Sequence, residues 1–216
     1  MELLRRFLEN ELRIEADTFI PQFQKYETAL LDWNERINLV SRKTRTIEEH
    51  ILNSIFFLSK ADISGAASLA DIGTGGGFPG IPLKIILPMI RVTLIDSIRK
   101  KITALDGIIA EAGFTGINTV CSRVESLANV SEYRESLDVI TAKAVAPLDK
   151  LYEWSAKLLA TNGRMIFIKG GDIDEELADL KKITGNSIIE VVTFDFDPVY
   201  GIEDKKTVII NKSSES

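Results

Sequence analysis

The stretch Leu69-Ala70-Asp71-Ile72-Gly73-Thr74-Gly75-Gly76-Gly77-Phe78-Pro79-Gly80 places an acidic residue and a glycine cluster where a buried strand gives way to a helix. Glycines at 73, 75 and 77 permit positive φ and let bare backbone N–H groups approach a ligand closely. A turn of this kind binds a nucleoside-bearing cofactor, and two cofactor classes compete for it. Gly75, Gly77 and Gly80 satisfy G-x-G-x-x-G, and Asp96 closes the next strand at about the 20-residue offset of a ribose-binding acid, which reads as a dinucleotide site. Asp71 weighs against that reading, because its carboxylate sits just before the loop and repels a pyrophosphate. S-adenosylmethionine carries a sulfonium, an ammonium and no phosphate, and its ribose diol suits Asp96. The charge balance favours it.

Outward from this turn the periodicity divides the chain near Ser64 and Gly65. Before that point apolar residues recur at helical spacing: Leu4, Phe7 and Leu8; Phe19, Phe23, Tyr26, Leu30 and Trp33; Ile51, Leu52, Ile55 and Leu58. Three or so helices are expected, with Pro21 in the first turn of the second and Ser41 to Thr46 as a loop. After Gly65 short apolar strands alternate with helices, the pattern of a parallel sheet with crossover helices. Strands are expected at Ser68–Ile72, Arg91–Ile95, Asn118–Cys121, Leu137–Thr141 and Arg164–Lys169. Helices are expected at Ile81–Leu87, Arg99–Ala112, Leu148–Leu159 and Asp174–Ile183. Two β-rich segments, Ile188–Phe196 and Lys206–Asn211, suit an antiparallel edge.

The composition excludes several classes. With 216 residues, 45% hydrophobic and 27% charged, the chain can bury a full core. Its one cysteine, Cys121, leaves no disulfide framework and no cysteine-rich metal site. Cys121 reads as an inert core thiol, and a reducing cytoplasm is the expected setting. Met1 to Ile20 interleaves charges with leucines and reads as a surface helix, neither signal peptide nor membrane span. The apolar run Ile81 to Ile90 is broken by Pro82, Lys84 and Pro88 and is too short to cross a bilayer. A net charge of −6 argues against indiscriminate nucleic-acid binding and leaves local basic clusters to carry any such role.

Several ordered segments together resemble a known family. Asp71-Ile-Gly-Thr-Gly-Gly-Gly-Phe-Pro-Gly-Ile-Pro-Leu83 is followed by Val92-Thr-Leu-Ile-Asp-Ser97, Ser122-Arg-Val-Glu125 and Lys143-Ala-Val-Ala-Pro-Leu148, and preceded by Trp33-Asn-Glu-Arg-Ile-Asn-Leu39 and His50-Ile-Leu-Asn-Ser54. The set, from about Leu30 to about Gly170, resembles RsmG, also called GidB or glucose-inhibited division protein B. That family comprises bacterial 16S rRNA guanine-N7 methyltransferases. The resemblance implies an α/β fold of the Rossmann-like S-adenosylmethionine-dependent methyltransferase type, with a mostly parallel sheet, an antiparallel C-terminal edge and an N-terminal helical extension. The division would be 1–64 for the extension and 65–216 for the methyltransferase domain. It implies cofactor contacts at Gly73 and Phe78 in the loop, at Asp96, Ser97 and Ile98 in the ribose-side turn, and at Val124 and Glu125 beside the adenine. Asp71, Gly75 and Lys143 complete the expected set. Lys143 stands where many members have arginine, keeping the charge but not the planar fork.

The implied chemistry needs little proton handling. Guanine N7 presents a lone pair at neutral pH, so attack on a sulfonium methyl requires alignment and no general base. No catalytic acid–base residue is expected, and the single histidine, His50, reads as a core-edge residue. The base must be exposed or splayed, since N7 is out of reach in the deep major groove of duplex RNA. Arg36, Arg42, Lys43, Arg45 and Arg123 are the expected RNA contacts, with Arg99, Lys100, Lys101 and Lys143 able to extend the same basic mouth. Spacing alone does not separate RNA from a small-molecule acceptor.

Each residue has a plainer reading beside this one. Asp96 fits as a helix N-cap, Glu125 as a solvated helix residue, and Phe78 as packing beneath the turn, against which stands its backbone N–H as the expected ligand contact. Trp33 and Tyr26 read as core. The partner expected is 16S rRNA or the small ribosomal subunit, with no membrane, no metal and a monomeric state. The competing functions are an NAD-dependent oxidoreductase on a Rossmann sheet and an RNA-binding module with a vestigial cofactor loop.

Overall fold

Along β1 (Ser68–Ile72) Leu69 belongs to one apolar cluster and Ala70 and Ile72 to another, so successive residues serve opposite faces of the sheet. The same alternation sends Val139 one way and Ile140 and Ala142 the other along β4 (Leu137–Lys143), and Ile166 and Ile168 against Met165 and Phe167 along β5 (Leu159–Gly170). Both faces are therefore covered, as a parallel sheet requires. The computed structural model describes residues 1–185 and 187–212, so positions 186 and 213–216 of the expected 65–216 domain lie outside the described residues.

The sheet has seven strands in the order β3-β2-β1-β4-β5-β7-β6. β2 (Arg91–Asp96), β3 (Ile117–Cys121), β4 and β5 extend the parallel part from β1. β6 (Ile188–Thr193) and β7 (Lys205–Asn211) add the expected antiparallel edge. Helices α1 (Glu2–Asn10), α2 (Ile20–Arg36) and α3 (Glu48–Ile55), with α4 (Gly80–Ile86) and α5 (Arg99–Ala112), cover one face. The short α6 (Val124–Leu127), α7 (Leu148–Ser155) and α8 (Asp174–Ile183) cover the other.

The first three helices form one layer with α4 and α5, sharing one apolar cluster with the sheet. Glu48 Oε1 accepts the Leu4 N–H at 2.8 Å, joining α1 to α3, and Glu27 Oε1 accepts Thr46 Oγ1 (2.6 Å) and the Ile47 N–H (2.8 Å), which turns the chain from the basic loop into α3. Pro21 sits in the first turn of α2, as expected.

Two regions differ from the sequence reading by more than two residues. The helix expected to reach Leu159 ends at Ser155, and Leu159 already pairs with Leu137, so β5 begins five residues before Arg164. The apolar Leu158-Leu159 pair continues the helical pattern yet is taken by the sheet. The strand expected to run to Phe196 stops at Thr193, because Phe194 and Phe196 turn onto the N-terminal layer, with Phe194 4.7 Å from Phe56 and Phe196 5.3 Å from Phe7.

Candidate active site

The glycine turn lies where the strand order reverses, with β2 on one side of β1 and β4 on the other. Open α/β sheets bind ligands outside the strand C-termini at such points. Asp71 holds the turn from beneath. It is wholly buried, and its Oδ2 accepts Thr74 Oγ1 (2.7 Å) and the Gly80 N–H (2.9 Å), with Thr141 Oγ1 3.4 Å from Oδ1. Gly80 carries no Cβ because one would run into Leu94 and come within 3.0 Å of the Asp71 carboxylate. Burial raises the Asp71 carboxyl to about 7, opposed by the Thr74 hydroxyl, the Gly80 N–H, the Lys143 charge and the Thr141 hydroxyl. α4 encloses this carboxylate, so among the expected cofactor residues Asp71 bears on the shape of the loop.

The turn's backbone donors are also engaged. The Gly75 N–H donates to Asp96 Oδ2 at 3.1 Å, and the Gly77 and Phe78 N–H groups both donate to the Thr74 carbonyl, at 2.8 and 3.0 Å. The Phe78 N–H expected as a ligand contact is thus turned to the Thr74 carbonyl. The Phe78 ring packs between Tyr26 (5.4 Å) and His50 (5.3 Å). The G-x-G-x-x-G spacing is present, but the free N–H cradle that a pyrophosphate requires is not.

Along the C-terminal edge runs a cavity of about 420 Å³, lined at one end by Val124 and Glu125, centrally by Asp96 and Ser97, and at the other end by Gly73 and Lys143. Its size suits a small molecule. The structure thus brings six of the ten expected cofactor residues to one wall. Gly75 and Ile98 support that wall instead, donating their N–H groups to the two oxygens of Asp96, the latter at 2.9 Å. Asp96 is only 7% exposed, and Lys101 Nζ stands 3.9 Å from it. A carboxylate fixed in this way can accept from a ribose diol. Glu125 is 3.6 Å from Arg123 at the outer end.

Lys143 closes the other end. Its Nζ lies 5.4 Å from the Phe78 ring centroid, in cation–π range. Burial pushes its ammonium below the ordinary lysine value, Asp71 and Glu49 oppose the shift, and Lys205 adds to it. Beyond it, Val145 covers Gly73: a Cβ on residue 73, whose φ is +66°, would lie 2.7 Å from both Val145 methyls. Val145 and Trp154 line the cavity without having been singled out from sequence. Val145 carried a usable signal, since it follows a strand C-terminus at the switch point, whereas Trp154 arrives from α7 and is legible only in three dimensions.

The expected RNA residues do not share one cavity. Arg123, Lys101 and Lys143 line the cavity at the strand C-termini, while Arg42 and Arg45 line a separate depression of about 400 Å³ beside Asn34, Glu35 and Thr44. Arg36 is 3.1 Å from Asp32 and lies over the Trp33 ring, and Lys43 is exposed in the loop. Trp33 packs across Gly107 and donates Nε1 to Glu111 at 3.0 Å, so it is no stacking platform. Among the described residues no cluster of metal-ligating side chains occurs, and no helix is long and apolar enough to cross a membrane.

Comparison with known proteins gives the chemistry its class. The family described as rRNA small subunit methyltransferase G (GidB) matches residues 19–196. The chain is 36% identical to the ribosomal RNA small subunit methyltransferase G of Desulfitobacterium hafniense (strain Y51), covering 100% of this chain and 90% of that protein. It is 33% identical to the protein of the same name from Lactococcus lactis subsp. cremoris (strain SK11), over 100% and 91%. Among solved structures it is similar in fold to an O-methyltransferase from Bacillus cereus in complex with SAH, with a TM-score of 0.60, 14% identity and 97% of each chain covered. It is also similar to a Methanococcus jannaschii fibrillarin pre-rRNA processing protein, with a TM-score of 0.52, 19% identity, and 69% of this chain and 67% of that one covered. With its Rossmann-like methyltransferase fold and a family match over most of its length, the chain belongs to the rRNA small subunit methyltransferase G family.

Proposed function

We propose that the protein moves the methyl group of S-adenosylmethionine to N7 of a guanine in 16S rRNA. The observation that carries the cofactor choice is the engaged state of the glycine turn. The Gly75, Gly77 and Phe78 N–H groups are spent on Asp96 and Thr74, while the cavity presents the carboxylates of Asp96 and Glu125. The engaged donors leave the turn no N–H cradle for a pyrophosphate, which disfavours the dinucleotide alternative, and Asp96 can accept from a ribose diol.

The cofactor supplies an electrophilic methyl carbon on a sulfonium. Asp96, fixed by two N–H donors, orients the ribose, and Val124 and Glu125 bound the adenine. Gly73, with no side chain, lets the reactive end approach the backbone beneath Val145, and Lys143 marks the side from which the acceptor enters. The acceptor's N7 lone pair needs no deprotonation, so the residues contribute position and shape. The basic loop with Arg36, Arg42, Lys43 and Arg45, together with Arg123, guides the RNA.

The test is transfer of labelled methyl from S-adenosylmethionine to small-subunit rRNA lacking the modification, followed by borohydride and aniline cleavage. A single cleavage site supports donor, atom and acceptor together. Label incorporated without cleavage overturns the N7 assignment. Tight S-adenosylmethionine binding with no transfer rejects this acceptor, whereas RNA binding with neither S-adenosylmethionine binding nor transfer favours a module that binds RNA only.

A further inference from the structure

The one histidine of the chain packs against the same ring as Lys143, a residue of the cavity wall. His50, in the first turns of α3, is half-buried with its imidazole 5.3 Å from the Phe78 ring at 35°, and the Lys143 ammonium lies 5.4 Å from the same ring. Phe78, 6% exposed, thus has against its ring both His50 and Lys143, the latter a residue of the cavity wall. The cavity runs from Glu125 at the β3 end, through Asp96 on β2, to Gly73 and Lys143 at the β1–β4 junction. With ribose and adenine toward Asp96 and Val124, the methyl end would lie by Lys143, which shares the Phe78 ring with His50. Among the described residues neither ring nitrogen has a hydrogen-bond partner. Burial holds the ring below the ordinary histidine value, Lys143 adds to the shift and Glu49 opposes it, so the imidazole is neutral at pH 7 and presents a lone pair.

We propose that the His50 imidazole accepts a hydrogen bond from N1–H of the acceptor guanine and strengthens it as the methyl group is transferred. The proposal rests on the guanine-N7 reading above. When the N7 lone pair forms its bond to the methyl carbon, the sulfur keeps the electron pair of the bond that breaks and the positive charge passes to the purine. No proton leaves in that step. A purine acquiring charge makes N1–H a stronger donor, so an acceptor fixed there is worth more in the transition state than in the ground state. Phe78 packs against the ring, and burial, with Lys143 adding to it, favours the neutral imidazole. His50 is then an acceptor-contact residue, acting on kcat more than on binding.

The test compares the unaltered chain, His50→Ala and His50→Gln on 16S rRNA fragments carrying either guanine or 1-methylguanine at the target. S-adenosylmethionine affinity is measured by calorimetry and RNA affinity by fluorescence anisotropy. His50→Ala should lower kcat on guanine about 10- to 100-fold, the worth of one hydrogen bond to a charge-bearing partner. Cofactor affinity should stay within about two-fold. Gln, which keeps an acceptor oxygen, should recover part of the loss. On 1-methylguanine, which has no N1–H, the unaltered chain should lose a similar factor and His50→Ala should lose little more. Unchanged kcat in His50→Ala, or losses that multiply, overturns the role of His50 while leaving the function intact. Absence of guanine methylation by the unaltered chain overturns both.

Discussion

The Tyr26 hydroxyl donates to the Gly76 carbonyl at 2.7 Å, so a residue of the second N-terminal helix holds the apex of the glycine turn. Tyr26 is wholly buried, its ring lies 5.4 Å from Phe78, and burial, with the Asp71 charge, raises its phenol well above the usual value, so it stays a donor across the working pH range. The helical layer is in this way part of the active-site structure. Removing the hydroxyl leaves a buried carbonyl without its partner.

Tyr26→Phe should therefore lower unfolding stability by about 1–3 kcal/mol, the cost of orphaning a buried acceptor. S-adenosylmethionine affinity should fall with it, because the apex of the turn is released. Denaturant unfolding and calorimetry on the same preparation check both. A stability loss with unchanged affinity would place the contact in the fold alone.

Asp71 gives a prediction in pH. Its carboxyl titrates near 3.8 in the unfolded chain and at about 7 in the folded one, because it is enclosed beneath α4. Between those values the unfolded chain releases the proton while the folded chain keeps it. The group's contribution to stability is thus fully present below about pH 4, falls as pH rises, and levels off above about pH 7. Asp71→Asn keeps an acceptor for Thr74 and Gly80 without the ionisation. Relative to the parent its stability should rise by a few kcal/mol at most between pH 5 and pH 8. A difference constant with pH in denaturant titrations would show that Asp71 stays ionised.

Asp71 also shows where sequence reading stopped. The glycine turn, the parallel strands and the antiparallel edge were legible because each rests on local periodicity. Asp96 was legible because a strand-end carboxylate about 20 residues after the turn has a stated chemical use. The side toward which Asp71 faces was not, since it depends on α4 folding back over β1. The same holds for Tyr26 and Trp154, whose roles come from helices distant in sequence. The Phe78 N–H looked free because the carbonyl that takes it, on Thr74, becomes its partner only when the turn closes.

Asp96 should carry much of the cofactor affinity. It lines the cavity centre and is held by the Gly75 and Ile98 N–H groups, so its carboxylate is preorganised. Asp96→Ala should weaken S-adenosylmethionine binding by about 1–3 kcal/mol, as expected for a charged hydrogen-bonding partner. Asp96→Asn should fall between, because the amide still offers one oxygen to a hydroxyl or an N–H. Affinities by calorimetry decide it, and equal affinity in all three chains would remove Asp96 from the ribose site.

Arg42 and Arg45 face a depression distinct from the cofactor cavity, and neither lies within ion-pair distance of a carboxylate among the described residues, in contrast to Arg36 and Arg123. Free cations beside one hollow are suited to backbone phosphates, whose neutralisation releases counterions. The double change Arg42→Ala with Arg45→Ala should weaken RNA binding and make the slope of log affinity against log salt shallower by about 1.4–1.8 if each arginine meets one phosphate. S-adenosylmethionine affinity and melting temperature should stay near the parent values, because both side chains are exposed. Anisotropy across a salt series reads the slope directly. An unchanged slope would mean that the RNA passes over the Lys101, Arg123 and Lys143 mouth of the cofactor cavity without touching the loop before α3.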